Sequence, residues 1–373
     1  MLSIWEKESL ISYDVIIVGA GISGLSTAAS IKEKNKRLSV LILERGLLPT
    51  GASTKNAGFA CFGSISELSQ DRKTLGDDKM LSLVEKRWNG LKKTISRLDE
   101  SKIGFEQKGG YELLDEKQTH YLEEIEQTNQ LLKRVFKSSV YSSKDEKLKD
   151  FGFEKTRHLI HNQFEGQLHT GDLMKSLWEY CGELGVKIIT GAEVQGYESH
   201  NKSIRVKTPG LNFECKSLGI CTNAFTQSIA GKDVAVNPGR GMVLLVKPKD
   251  RLRFSGTFHY QEGYYYFRDF GEKLLFGGGR NLDFNTETTT DFGINELIEQ
   301  QLHKLLQEVI IPKTSYEVET KWSGIMAFGE TKAPIVSRLS EHVFLGIRLG
   351  GMGVAIGSIV GEELAQLILN DLD

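Results

Sequence analysis

Apolar positions first form an unbroken run from Val15 to Val18, then a helical stretch from Ile22 to Lys32, then a second run from Leu38 to Leu43 that stops at Glu44. A short continuous apolar run suits a strand buried on both faces, so this opening segment predicts a βαβ unit. Between about Ser66 and Leu148 the chain becomes strongly charged. Leu81, Val84, Trp88, Leu91, Ile95 and Leu98 nevertheless recur at helical spacing, as do Tyr121, Leu122, Ile125, Leu132, Val135 and Phe136. They predict amphipathic surface helices. The charge runs among them, and "KEKNKR" at 32–37, read as solvated helix faces.

A helix starting at Leu173 leads through Gly185 into a strand "VKIITGAEVQGYE", and Phe213 to Cys221 adds another strand ending in "CTNAF". The texture then changes. "RGMVLLVKP", "GTFHYQEGYYYFRDF" and "KLLFGGGRN" are short, aromatic-rich β-like runs separated by turn signals, which predict a mixed or antiparallel sheet. A helix over Asn295–Val309 follows, and the last sixty residues return to strand, glycine turn and helix. The expected fold is α/β: a Rossmann-like domain assembled from discontinuous segments (1–100, 166–235 and 320–373) with an inserted α+β domain (101–165 and 236–319) on a mixed or antiparallel sheet.

The 373 residues suffice for two domains, and a net charge of -2 gives no general attraction to nucleic acid or anionic membrane. Cys61, Cys181, Cys215 and Cys221 form no CxxC pair and have no histidines at ligand spacing, so neither a disulfide framework nor a zinc site is expected. The N-terminus lacks a basic start followed by an apolar run, and no stretch reaches the ~18 apolar residues of a membrane span. These features predict a cytoplasmic protein with no membrane span and no nucleic-acid partner.

Gly19, Gly21 and Gly24 spell GxGxxG between the first strand and helix. The first glycine permits a tight turn, the second lets a pyrophosphate approach the backbone, and the third lets helix and strand pack closely. Ile22 and Ser23 lie at the helix N-terminus, whose amides favour an anion. Glu44, with Arg45 after it, ends the second strand, where a carboxylate accepts ribose hydroxyls and repels a 2'-phosphate. These residues predict an adenine dinucleotide, FAD or NAD.

The segments "GAGISGL", "LERG", "GASTKNAGF", "CTNAF", "RGMVL", "YYYFR", "LLFGGGR", "WSGIMAFGETKAPIV" and "LGGMGVAIG" occur in this order. In that order the chain resembles, over almost its whole length, flavoproteins similar to D-amino acid oxidase, glycine oxidase and sarcosine oxidase. The resemblance implies that the two glycine turns serve opposite ends of one FAD. Gly350, Gly351, Met352, Gly353 and Val354 would lie at the flavin ring, with a helix N-terminus aimed at its pyrimidine edge. Ser53, Ala57, Gly58 and Phe59 would run past the ring and ribityl chain, Val194 would meet the adenine, and Thr222 with Asn223 would lie near the diphosphate. Relatives that hold flavin covalently use a histidine at the position of Asn56 or a cysteine near Met326, so non-covalent FAD is expected, with Cys61 a buried, inert thiol.

The resemblance also implies oxidation of a C–N bond of an amine or amino acid by hydride transfer to flavin N5, followed by imine hydrolysis. Tyr264 and Arg280 would line the substrate cavity, with Arg348 at its rim. The carboxylate-binding arginine of the amino-acid oxidases is replaced by Met326, and an aspartate of the following segment by Lys332. Leu275 stands where sarcosine oxidases carry a lysine that assists reaction with oxygen, and Lys273 lies two residues earlier, so the resemblance leaves open an oxidase using oxygen and a dehydrogenase using a quinone or another acceptor. Isolated histidines such as His169 and His259 are read as structural. An NAD-dependent dehydrogenase using only the first turn, and a flavoprotein that binds without turnover, are the competing readings.

Overall fold

A computed structural model describes residues 3–200 and 203–373. The first sheet orders β17 (Ile335–Ser340), β18 (Val343–Ile347), β11 (Leu211–Ile220), β1 (Ser12–Val18), β2 (Val40–Leu43) and β8 (Lys187–Ile189), with β10 (Ser203–Thr208) and β9 (Gly196–His200) continuing from β11. The β1 strand runs parallel to both neighbours, Ile17 standing opposite Gly219 and Ile42. Its alternate residues enter different cores. Val15 and Ile17 meet Leu25, Ile31 and Ile368 under the helices, whereas Ile16 and Val18 meet Ile204, Phe213 and Val343. Burial on both faces explains why this strand reads as a continuous apolar run.

The expected strand over "VKIITGAEVQGYE" is broken. After β8 the chain takes a left-handed turn at Gly191, φ +68°, and the amides of Gly191 and Ala192 donate to the carbonyls of Gly46 and Glu44 at 3.0 and 2.9 Å. Those carbonyls draw the segment across the end of β2 before β9 begins.

The helices Ile22–Lys34 and Gly353–Leu372 lie side by side although they come from opposite ends of the chain. Their approach requires the absence of side chains. A Cβ at Gly357 would fall 2.4 Å from Ile22 Cγ2, and one at Gly361 2.5 Å from Ser26 Cβ and 2.7 Å from Thr27 N. Valine at Gly361 is therefore expected to lower folding stability by about 3 kcal/mol, because the obstruction includes backbone that cannot rotate away; a denaturation midpoint measured beside the parent protein checks this.

The second sheet orders β16 (Tyr316–Phe328), β12 (Asn237–Pro248), β15 (Lys273–Gly278), β14 (Tyr265–Phe270), β13 (Thr257–Tyr260), β4 (Gly110–Leu114), β6 (His158–Asn162) and β5 (Tyr141–Ser143). It is mixed: β13 and β4 run parallel, and the other pairs are antiparallel. The β16 strand stays paired with β12 as far as Phe328, past the division at 320 expected from sequence. One face carries Tyr111, Phe258, Phe267, Phe276 and Leu244 into a core with Ile298, Leu302 and Leu305 of the helix Glu296–Leu305. The opposite face carries Tyr266, His259 and Glu112 in adjacent register. A two-stranded ribbon of β3 (Phe59–Ala60) and β7 (Gly166–Gln167) lies against that polar face, Phe59 packing edge-on against His259 and Tyr266. Among the described residues, no helix is long and apolar enough to cross a membrane.

Candidate functional site

The first glycine turn has the form its spacing predicts. Gly19 adopts φ +100°, and a Cβ on Gly24 would stand 1.9 Å from the Gly19 carbonyl oxygen. Neither Gly21 nor Met352, which precede the two facing helices, contributes a side-chain cap, and the Ile22 amide donates instead to Ser53 Oγ at 3.0 Å. Ser23 Oγ donates to the Gly346 carbonyl at 2.8 Å, tying this turn to β18. Glu44 is buried and accepts from the amides of Ala20 and Gly46 at 2.9 and 3.0 Å. Its carboxylate is thus fixed beside the turn at the end of β2. The Arg45 guanidinium stacks on Phe225, 3.8 Å from the ring centroid. Val194 is buried on the segment that crosses Glu44.

Two further contacts bring the distant pieces of this site together. Asn223 adopts a left-handed conformation, φ +49°, and its Oδ1 accepts from the amides of Arg348 and Leu349 at 3.0 and 3.4 Å, so the C-terminal turn is fixed to the end of β11 beside Thr222. Gly350 and Gly351 complete that turn at φ +58° and +80° before the buried C-terminal helix begins at Gly353 and Val354. On the other side, Asn56 Oδ1 accepts from the Gly58 amide at 2.9 Å and from Thr170 at 3.1 Å, holding Ala57 and Gly58 ahead of Phe59. Cys61 Sγ stands 3.8 Å from Met352 Sδ. The segments implied for the two ends of FAD are thus held together by contacts between the first turn, the Ser53–Cys61 segment, the end of β11 and the C-terminal turn. Gly19, Gly24 and Gly58 let backbone pack on backbone here, a Cβ at each falling 3.0 Å from the Cys221 carbonyl oxygen, 1.9 Å from that of Gly19 and 2.3 Å from that of Leu168, so the turn amides stay uncovered by side chains, as an anion at a helix N-terminus requires.

Tyr264 and Arg280 come together. The Arg280 guanidinium is half-buried between Phe284 and Phe328, 4.8 and 4.1 Å from their ring centroids, and Tyr264 packs edge-on against Phe284. Gly239 makes the room, since a Cβ there would fall 2.5 Å from Phe328 and 2.8 Å from Arg280 Nη1. Among the described residues, no carboxylate pairs with Arg280, and burial pulls its pKa below the usual arginine range.

Arg348 differs. Its Nε and Nη1 donate to the carbonyls of Ala333 and Ala235 at 3.0 and 3.2 Å, and its Nη2 to Thr331 Oγ1 at 3.4 Å. With φ at +63°, it pins the junction before the C-terminal turn, three of its five N–H groups engaged by that junction. Met326 faces that turn, its Sδ 3.7 Å from where a Gly351 Cβ would stand, and Lys332 pairs with buried Asp71 at 2.7 Å. Lys273 is engaged by Glu319, and Leu275 is buried.

The expectation that His259 is an isolated structural histidine misses its surroundings. Its Nε2 lies 2.7 Å from Glu165 Oε1, and Glu112 follows it in cross-strand register. Burial alone would lower the His259 pKa, but the charge and hydrogen bond of Glu165, helped by Glu67 and Glu112, raise it to about 9. Burial raises Glu112 to about 7, against the hydrogen bonds from Ser66. The sequence carries one signal of this cluster, a glutamate in the otherwise apolar strand "GYELL".

The family described as "FAD dependent oxidoreductase" (DAO) matches residues 14–367. The chain is 23% identical to the probable oxidoreductase OrdL of Haemophilus influenzae, over 96% of this chain and 83% of that protein. It is 21% identical to the gamma-glutamylputrescine oxidoreductase of Escherichia coli, over 97% and 85%. The fold matches the crystal structure of glycine oxidase from Geobacillus kaustophilus with a TM-score of 0.75 at 20% identity, over 96% of this chain and 95% of that one. These matches set aside the reading that the first turn serves NAD alone. With both glycine turns brought side by side and residues 14–367 of the 373 matched, the chain belongs to the DAO family of FAD-dependent oxidoreductases.

Proposed function

We propose that this oxidoreductase acts on the C–N bond of a primary or secondary amine or an amino acid, the released imine then hydrolysing. The bound FAD supplies the chemistry by accepting a hydride at N5. The observation that carries the reading is Arg280. A half-buried guanidinium without a carboxylate partner is costly, and its planar fork matches a substrate carboxylate bidentately. Two of the similar proteins are named for glycine and gamma-glutamylputrescine, which both combine an amine with a carboxylate. Here Arg280 would anchor the acid group while Tyr264, Phe284 and Phe328 exclude water around it, so that the amine-bearing carbon is held in one orientation. Oxygen or another acceptor takes the electrons.

Anaerobic addition of amines and amino acids to the yellow protein tests this reading. A carboxylate-bearing amine is expected to bleach the flavin, and admitting oxygen then distinguishes an oxidase from a dehydrogenase. If no amine bleaches it, the protein binds without turning over. Arg280→Ala should raise KM for the bleaching substrate by about tenfold or more; an unchanged KM removes Arg280 from the site.

We further propose that FAD is held without a covalent bond. Asn56 offers an amide already committed to its own turn, and burial pushes the Cys61 thiol well up, leaving it a poor nucleophile. Acid precipitation is expected to release the colour to the supernatant, and a yellow pellet would refute this.

A further inference from the structure

Cys61 follows β3 at the edge of the first domain, Glu165 precedes β7, and His259 lies within β13 of the second sheet. One donor atom from each lies within 4.8 Å of the other two, and all three residues are buried. We propose that Cys61 Sγ, Glu165 and His259 Nε2 form a site for a borderline-soft divalent ion, zinc foremost, that staples the β3 ribbon to the polar face of the second sheet. This goes beyond the flavin chemistry and does not depend on the substrate.

The donor set selects the ion. A thiolate, an imidazole and a carboxylate together suit Zn²⁺ and not Mg²⁺ or Ca²⁺, which require mostly oxygen ligands. A tetrahedral zinc, with Zn–S about 2.3 Å and Zn–N and Zn–O about 2.0 Å, sets its donors roughly 3.5 Å apart, so the three side chains reach ligand positions by shifts of about 1 Å. The 2.7 Å contact between His259 and Glu165 opens, and Cys61 closes. Binding releases the thiol proton of Cys61 and the Nε2 proton of His259 to solvent. The charges of thiolate, carboxylate and metal then cancel in a site that burial would otherwise make costly.

Two features show that the surroundings are built for this arrangement. Thr257 Oγ1 donates to Glu165 Oε1 at 2.7 Å, the same oxygen that meets His259, which orients the carboxylate and leaves Oε2 without a hydrogen bond among the described residues. Glu165 fits there because Gly110 lacks a side chain, a Cβ at that position falling 2.3 Å from Glu165 Cδ. Independently, a small cavity beside the cluster is lined by Glu112, Tyr141, Asn162, Glu165 and His259, and Asn162, 3% exposed, has its Nδ2 without a partner. A water in the fourth metal position would accept from Asn162 Nδ2 and donate to Glu112, supplying the outer hydrogen bonds that tune metal sites.

The test uses the FAD-loaded protein, stripped with a chelator and dialysed to equilibrium against Zn²⁺ with an excess of Mg²⁺. One zinc per chain is expected by elemental analysis. Cys61→Ser and His259→Gln should each weaken retention at least tenfold, with far-UV circular dichroism and a cooperative thermal transition reporting that each variant remains folded. X-ray absorption on the zinc-loaded parent protein needs no variant and should show one sulfur at about 2.3 Å. Failure of the parent protein to retain zinc, equal retention by Cys61→Ser, or a shell of nitrogen and oxygen alone would each overturn the assignment.

Discussion

Alanine at Gly24 is expected to give a folded protein that purifies colourless, with affinity for FAD lowered by about 100-fold or more, equivalent to roughly 2.7 kcal/mol. The added methyl would stand 1.9 Å from the Gly19 carbonyl oxygen and 3.1 Å from its carbon, both backbone atoms of the turn that faces the pyrophosphate. No rotamer relieves such a clash. Either the helix Ile22–Lys34 slides away from β1 or the turn opens, and in both cases the amides no longer converge on one anion. Gly51→Ala is the control. A Cβ there meets nothing within 4 Å and φ is -76°, so that variant should bind FAD as the parent protein does and lose less than about 1 kcal/mol of stability. Titration of both apoproteins with FAD, followed by flavin fluorescence, decides the matter, and a yellow Gly24→Ala protein would remove the first turn from the cofactor site.

Removal of the Arg240 guanidinium should have the largest effect on stability. Arg240 and Glu287 form a buried bidentate pair, Nε and Nη2 donating at 2.9 and 2.8 Å, and their side chains are 11% and 2% exposed. Arg240 Nη1 also reaches the Asp291 carbonyl at 3.3 Å, and Asn295 Nδ2 donates to Glu287 at 2.9 Å. The segment between β15 and the helix Glu296–Leu305, which carries Arg280 and Phe284, is thereby fastened to β12. Arg240→Ala leaves a buried carboxylate uncompensated and should cost about 3–5 kcal/mol, whereas Arg240→Met combined with Glu287→Leu should recover much of the loss, because no charge is then stranded. Thermal midpoints of the three proteins test the sign and the order. If the double variant is no more stable than the single one, packing and not stranded charge dominates at this position.

Much of the cofactor cleft was legible because its determinants are local. The turn at Gly19–Gly24 and the strand before it are specified within a dozen residues, and Glu44 closes the same βαβ unit, so periodicity and glycine spacing suffice. The C-terminal turn was equally plain as strand, glycines and helix. Its place beside the first turn depends on Gly357 and Gly361 passing Ile22 and Ser26, a contact between opposite ends of the chain, and only the ordered resemblance to known flavoproteins implied it.

The substrate side was legible only in part. Arg280 and Arg348 look alike in sequence, but the first is left unpaired between two aromatic rings while the second is consumed by Ala333, Ala235 and Thr331. The strands β4 and β5 lie in a charged region where helices dominated the pattern and β6 follows it, and all three became strands by pairing with β13 and one another. The sequence by itself determined the kinds of element, the dinucleotide turn and the acid that follows it, because each rests on torsional preference and periodicity within a short span. The tertiary structure alone decided which arginine is free and that Cys61, Glu165 and His259 meet, because the partners that neutralise or ligate a buried group are supplied by segments far apart in the chain.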